Sequence, residues 1–409
     1  MPLTILVLNS GSSSIKFSLF SAIQSGEPRP LYEGALEGIG GGSGTFSITD
    51  EAGKQVLDQK LSAPDAHAAF QLIADALKRP PFPFPDAIGH RMVSGGPTLT
   101  AHQRITPAVL DEMERHVAFA PLHSPVAIFI MRKAAELFPG LPNFVCFDSA
   151  FHTTIPEVAA RFALPERYWA DGVRRYGAHG LSYESVVYQL RDELPSRMVV
   201  AHLGNGSSIT AIRDGRSTDT SMGLTPTGGI ISGTRTGDLD PGVLLYILRE
   251  LEPSRPATKE AADQLEAIVA RQSGLLGVSG LSNDMRALRK GAEQGDEAAL
   301  RALAQFAYVI RKFLGSYLVL LGGLDALVFT GGIGEHDAQT RAEVTAGLEP
   351  FGLTLAPERN ISPEGQVIST SEAKVRILIV PAREDLLIAM HTVRLLGDQP
   401  EPAAPAGKP

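Results

Sequence analysis

Short apolar runs alternate with longer amphipathic ones along the 409-residue chain, a pattern that predicts an α/β fold. Strands are expected over residues 4–8, 15–20, 87–91, 143–147, 198–202, 208–213, 326–330 and 375–380. Apolar positions at helical spacing predict helices over 65–77, 107–118, 125–137, 182–194, 241–251, 259–271, 297–321, 337–347 and 384–396. Pro125 and Pro241 suit first-turn positions, where the missing N–H costs no hydrogen bond, and Asp240 is a candidate cap. One pattern occurs twice. Residues 5–20 read ILVLNSGSSSIKFSLF and residues 199–213 read VVAHLGNGSSITAIR. Each is an apolar run, a Gly/Ser/Asn turn and a second apolar or β-branched run. Two such strand–turn–strand units present many N–H and hydroxyl donors, the inventory for holding a polyanion between two lobes.

Length changes the picture first: 409 residues exceed one ordinary core, so two domains are expected. We place the first lobe at 1–150, with the last helix, 384–396, returning to it, and the second at 151–383. The tail, 397–409, has little to bury and is expected to be disordered. The Gly-rich residues 38–46 read as a turn or mobile loop, and the proline-rich 79–85 as a loop feeding the strand at 87. A formal net charge of −8 argues against a nucleic-acid partner but not against nucleotides. The one cysteine, Cys146, lies in the apolar NFVCF run and excludes an internal disulfide and a cysteine-based zinc site. The N-terminal apolar run is too short for a signal segment. No apolar run approaches the ~20 residues of a membrane span, so a cytoplasmic protein without a membrane partner is expected.

Several segments carry candidate chemistry. Asn9-Ser-Gly-Ser-Ser-Ser-Ile-Lys16 lacks the Gly-Lys-Ser/Thr of a Walker loop but offers hydroxyls, amides and a cation. Phe329-Thr-Gly-Gly-Ile-Gly-Glu335, followed by a helical pattern, is a strand–glycine turn–helix, which lets a nucleotide lie against backbone at a helix N-terminus. Arg91 and Arg235 offer planar forks for carboxylate or phosphoryl oxygens. Glu384 is a hard carboxylate suited to Mg²⁺; read alone, it is a helix N-terminal acid favoured by the macrodipole. His90, His123, His152, His179 and His202 lack the paired spacing of a zinc site.

Further motifs are GHRMVSGG (89–96), APLHSP (120–125), FDSAFH (147–152), RRYGAHG (174–180), DTSMG-TP (219–226), GTRTGDLDPG (233–242), SNDMR (282–286) and AREDLLIA (382–389). Together with LNSGSSSIKF (8–17), HLGNGSS (202–208) and FTGGIGE (329–335), they make the chain resemble the acetate kinases from residue 3 to about 396. That family lies in the superfamily of actin, sugar kinases and heat-shock ATPases. The resemblance implies a two-lobed actin-like ATPase fold with a duplicated ββαβαβα core and an interlobe cleft. It implies reversible phosphoryl transfer from ATP to acetate, giving acetyl phosphate and ADP, with Mg²⁺ or Mn²⁺ as cofactor, in a homodimer.

By the same resemblance Asp148, His179 and Arg235 are catalytic. Arg91, Val93, Leu122 and Pro226 bind the acid, and His123 is a weaker candidate. Lys16, His202, Leu203, Gly204, Asn205, Gly206, Asp284, Met285, Arg286, Gly332, Ile333, Gly334, Glu335 and His336 bind nucleotide, and Asn9 and Glu384 serve the metal. The helices around Pro125 and Glu297 are candidate dimer elements. Asp148 is read as an orienting group, because a carboxylate substrate is already ionised near neutral pH and needs no strong base.

The chain departs from the family at four places. Ser94 stands where the family has His, Ala178 where it has Phe, Thr227-Gly228-Gly229 where it has Leu-Glu-Gly, and His336 where it has Asn. Ala178 removes an aromatic wall beside the acid's methyl group, which makes propionate an expected alternative substrate. His336 bears on the choice of nucleotide base. Rival readings are a nucleotide-dependent switch without turnover and a sugar kinase.

Overall fold

The computed structural model describes residues 2–11, 13–23, 26–120, 124–252 and 258–398. It divides into two compact units, one running to Ala150 and resuming at Arg383, the other spanning Phe151–Ala382.

In the first unit, Leu3–Ser10 (β1) carries the continuous apolar run Ile5–Leu8, all of it buried. Such a run suits a strand covered on both faces. It pairs antiparallel with Ser14–Ala22 (β2), followed outward by Arg29–Glu37 (β3), Gly44–Asp50 (β4) and Gln55–Leu61 (β5). On its other side β1 runs parallel to Ala87–Met92 (β6), which is parallel to Asn143–Phe147 (β8); the two-residue Gln103–Arg104 (β7) closes that edge. The segment expected as a loop at 38–46 is therefore partly strand, since Gly44–Phe46 opens β4. The helices Ala66–Leu77 (α1) and Ser124–Leu137 (α2) cover one face of the sheet. Asp65 caps α1 by accepting from Ala68 N at 2.8 Å, satisfying one of the orphan N–H groups of a helix start.

The second unit repeats this arrangement. Arg197–His202 (β9), Ser208–Arg213 (β10) and Arg216–Thr220 (β11) form an antiparallel meander. Ala326–Thr330 (β12) and Arg376–Ile379 (β13) extend β9 in parallel. The order β11-β10-β9-β12-β13 matches β3-β2-β1-β6-β8, so the core is duplicated.

Helices of the second unit include Gly180–Gln189 (α3), Met285–Glu293 (α4), Glu297–Leu320 (α5), the short Gly331–His336 (α6) and Ala338–Thr345 (α7). The helix expected at 182–194 ends at Gln189 and gives way to a 3₁₀ turn, Arg191–Glu193. By length and composition α5 could cross a bilayer. Its face from Ala299 to Tyr317, Phe306 and Ile310 included, is instead packed into the unit's core.

The last helix, Glu384–Gly397 (α8), packs on β1 and β6 of the first unit. Gly89 permits that approach. A Cβ there would stand 2.7 Å from Ile388 Cγ2 and closer still to Thr392 Oγ1. The helix includes Gly397, which the sequence pattern assigned to the tail, and residues 399–409 of that tail lie outside the described residues.

His90, fully buried in β6, donates from Nε2 to Asn143 Oδ1 at 2.8 Å. Burial pushes its pKa down to about 4, the Asn143 hydrogen bond only partly opposing it. The unfolded chain therefore binds a proton here between about pH 6.5 and 4 that the folded protein refuses. This contribution to stability is complete above pH 6.5 and lost as pH falls towards 4. The loss is of order 3 kcal/mol, at ~1.4 kcal/mol per pH unit. Urea unfolding at pH 7 and pH 4.5 checks it: His90→Gln should lose about 2 kcal/mol less than the unmodified protein on acidification.

Candidate active site

In the first unit the parallel strands β1, β6 and β8 end together, the place where open α/β sheets bind ligands. Asn9, Arg91 and Asp148 sit at or just beyond those ends, and the N-terminus of α8 adds Glu384. Arg91 joins the other three. Its Nε and Nη2 donate to Asp148 Oδ1 and Oδ2 at 3.2 and 2.7 Å, its Nη1 donates to Asn9 Oδ1 at 3.2 Å, and its Nε lies 3.4 Å from Glu384 Oε2. Burial works to lower the Arg91 pKa, but Asp148 and Glu384 outweigh it and the guanidinium is held above its ordinary range.

Behind Glu384, Asp385 is half-buried and accepts a hydrogen bond from Ser18 at 2.6 Å. Burial raises its pKa, Ser18 opposes the rise, and Glu384 adds to it. Val93 is half-buried, and its carbonyl accepts from Ser149 N at 3.2 Å. Ser94 is buried, its Oγ accepting from Gly96 N at 3.1 Å. Lys16 is exposed on β2, opposite Asn9 in the ladder. Leu122 and His123 lie outside the described residues.

In the second unit the corresponding ends of β9 and β12 carry His202 and Thr330, and two turns leave them. The first, Leu203–Ser207, is pinned by Gly204 N donating to Ser207 Oγ at 3.1 Å and Ser207 N to Ser232 Oγ at 3.0 Å. The second opens α6: Ile333 N and Gly334 N both donate to Leu203 O, at 2.8 and 3.1 Å. Leu203 therefore acts through its carbonyl, its side chain being buried in the core.

His179 and His202 stack, with ring centroids 4.2 Å apart. A Cβ on Gly206 would lie 3.3 Å from both His179 Nε2 and Arg235 Nη1. A Cβ on Gly331 would lie 3.2 Å from His202 Nε2. The two histidines, Arg235 and the glycine backbone thus border one cradle, and Arg235 is steadied there by donating to Pro226 O at 3.2 Å.

Beside the cradle lies a cavity of about 1010 Å³ lined by Gly204, Asn205, Asp284, Met285, Arg286, Gly332, Ile333 and His336. Asp284 caps α4, accepting from Arg286 N and from its guanidinium. The Arg286 hydrogen bonds pull the Asp284 pKa down. Glu335 faces elsewhere: its Oε1 accepts from Gly331 N at 2.8 Å and Ala382 N at 3.0 Å, bracing the turn. Gly334 is buried, and its carbonyl accepts from the buried Arg341 at 2.9 Å. Sequence reasoning missed Asn283, Arg289, Lys290, Glu293 and Asp337, which line the same cavity. The i, i+4 pair Arg286 and Lys290 on a helix from 285 was the available signal.

A duplicated α/β core with an arginine–carboxylate cluster at one set of strand ends and a glycine- and histidine-lined cradle at the other defines a phosphoryl-transferring class of enzyme. Comparison with known proteins narrows the class. The acetokinase family matches residues 4–390. The acetate kinase of Streptomyces avermitilis is 39% identical, over 97% of this chain and 98% of that protein. The acetate kinase of Rhodopseudomonas palustris is 41% identical over 96% and 98%. Among solved structures, a propionate kinase from Francisella tularensis has a TM-score of 0.87 at 36% identity, covering 96% of this chain and all of that one. The acetate kinase of Porphyromonas gingivalis has a TM-score of 0.83 at 35% identity, with the same coverage. The chain belongs to the acetokinase family.

Gly331 tests the cradle's dependence on backbone. Its φ is +76°, and a Cβ would stand 2.8 Å from Leu203 O, a backbone atom that cannot yield cheaply. Gly331→Ala is expected to destabilise the protein by about 1–3 kcal/mol. Denaturant unfolding measures the loss, and titration calorimetry with ADP should show weakened binding.

Proposed function

We propose that the protein catalyses the reversible acetate kinase reaction, in which ATP and acetate give ADP and acetyl phosphate, and that it acts in the cytoplasm. The observation that carries this reading is the Arg91 fork set between Asp148, Glu384 and Asn9. Joining a carboxylate to a triphosphate brings two anions together, and a planar, permanently charged guanidinium is suited to offsetting that repulsion. A carboxylate oxygen attacks the γ-phosphorus in line as the bond to the β-bridging oxygen breaks. The acid is already ionised near neutral pH, so no proton need be removed.

Asp148 then serves to aim Arg91, and its bidentate grip supports that role over a base. Asn9 and Glu384 fit a hard cation by donor type, and Mg²⁺ held there would supply charge neutralisation to phosphate oxygens. Arg235 and His179 steady the transferring group, His202 and the 203–206 turn the nucleotide phosphates, and the 1010 Å³ cavity the nucleoside.

Propionate is the second reading. Ala178 is buried where the family's aromatic wall would stand, and one solved relative is a propionate kinase. The protein is further proposed to form a homodimer. The Pro241–Leu251 helix buries no residue, although Val243, Leu245 and Tyr246 are apolar and 41%, 51% and 61% exposed. The helix around Pro125 instead turns its apolar face into its own unit's core.

An acyl-phosphate trap with hydroxylamine across formate, acetate, propionate and butyrate decides the function. Acetate should give product, with propionate within about a hundredfold of its kcat/KM. Nucleotide binding without product from any acid would overturn the reading in favour of a switch.

A further inference from the structure

Buried hydroxyl groups stand behind both histidines of the second unit's cradle. His179 Nδ1 lies 2.8 Å from Ser208 Oγ, and Ser208 Oγ is hydrogen-bonded to the Tyr183 phenol. Ser208 and Tyr183 are completely buried. His202 is held similarly, its Nδ1 2.8 Å from the buried Ser182 Oγ. His179 itself caps α3 in the left-handed region, with φ +55°. That conformation is uncommon for a residue with a side chain and persists where surroundings over-determine it.

One serine hydroxyl between a phenol and an imidazole has a single proton and two acceptor lone pairs, so it donates to only one of the two neighbours. Run one way, Tyr183 donates to Ser208 and Ser208 donates to Nδ1, which leaves the imidazole proton on Nε2. Run the other way, Nδ1 carries the proton and Nε2 is an acceptor.

The surroundings favour the first direction. A phenol is far more acidic than an aliphatic hydroxyl and is the stronger donor. On its other side His179 stacks on the His202 ring from β9, and its Nε2 and Arg235 Nη1 both face the space beside the Gly206 Cα. The His152 ring stands 5.7 Å from that of Tyr183. A cation beside the imidazole disfavours a second positive charge on it.

We infer that Tyr183 and Ser208 form a positioning relay that fixes His179 as the tautomer protonated on Nε2, so that it donates to a phosphoryl oxygen. This rests on the reading that His179 meets the transferring phosphoryl group. Tyr183 and Ser208 touch no substrate and act only through the imidazole.

Nitrogen-15 histidine NMR of the nucleotide-free protein reads the tautomer directly, with His179→Asn supplying the assignment. The unmodified protein should show His179 protonated on Nε2 near pH 7.5. Ser208→Ala should convert it to a mixture and lower kcat about tenfold or more, with KM for ATP little changed. Tyr183→Phe should have the same effect in smaller measure, and Ser208→Thr should restore the tautomer and most of kcat. An Nδ1-protonated His179 in the unmodified protein, or an unaltered tautomer in Ser208→Ala and Tyr183→Phe, overturns the inference. The NMR result needs no turnover. Absence of acyl phosphate would therefore sink the proposed reaction while leaving the relay standing, and an active enzyme with the wrong tautomer would sink the relay alone.

Discussion

A single guanidinium held by two carboxylates organises the first unit's functional edge. Arg91 reaches Asp148 and Glu384, which come from a strand end and a helix start more than 230 residues apart in sequence. A partly buried cation with one partner removed would be costly, so the cluster constrains each element that contributes to it. The strands must end in register, as the parallel pairing of β1, β6 and β8 ensures. The last helix must lie close enough to deliver Glu384, which Gly89 allows by offering no side chain to Ile388 and Thr392.

The second unit repeats the topology with different chemistry. Where the first unit sets carboxylates around an arginine, the second sets Arg235 among two glycine turns, two stacked histidines and the buried serines behind them. The turn that opens α6 is braced by hydrogen bonds to backbone groups. The buried Arg341 directs its fork to Asn360 and to the carbonyls of Gly334 and Glu335. The Glu335 carboxylate binds two backbone amides. A turn whose carbonyls and amides are tied down in this way holds its shape, with little reorganisation left to occur when an anion binds beside it.

Alternation of apolar and amphipathic runs made the central strands legible, because β1, β8, β9 and β12 each carry a buried, unbroken apolar stretch. The outer strands of the first unit escaped. In QVLDQKL no residue is buried, and RPLYEGALE buries only Leu36, so an edge lacking two-sided burial leaves little period to detect. The residues of the first unit's cluster were named from motif resemblance, and the structure brings Asn9, Arg91, Asp148 and Glu384 together. The cavity's α4 side was harder to see. Met285–Glu293 is short and strongly polar, and its Arg289 is engaged by Asp337, Thr340 and Glu343, which lie far along the chain. The role inferred for Ser208 was hidden within a Gly/Ser turn motif: Ser207 is equally buried but turns its hydroxyl back to Gly204 O, whereas Ser208 meets His179 and Tyr183.

The account depends on Asp148 serving as an aiming group for Arg91 and not as a base. The most direct measurement is the pH dependence of kcat and KM for the acid in Asp148→Asn, with Mg²⁺ affinity measured on the same protein. An aiming role predicts a KM for the acid raised about tenfold or more, with the acidic limb of the kcat profile kept and Mg²⁺ affinity unchanged. Loss of that limb at an unchanged KM, with kcat reduced by orders of magnitude, would contradict it.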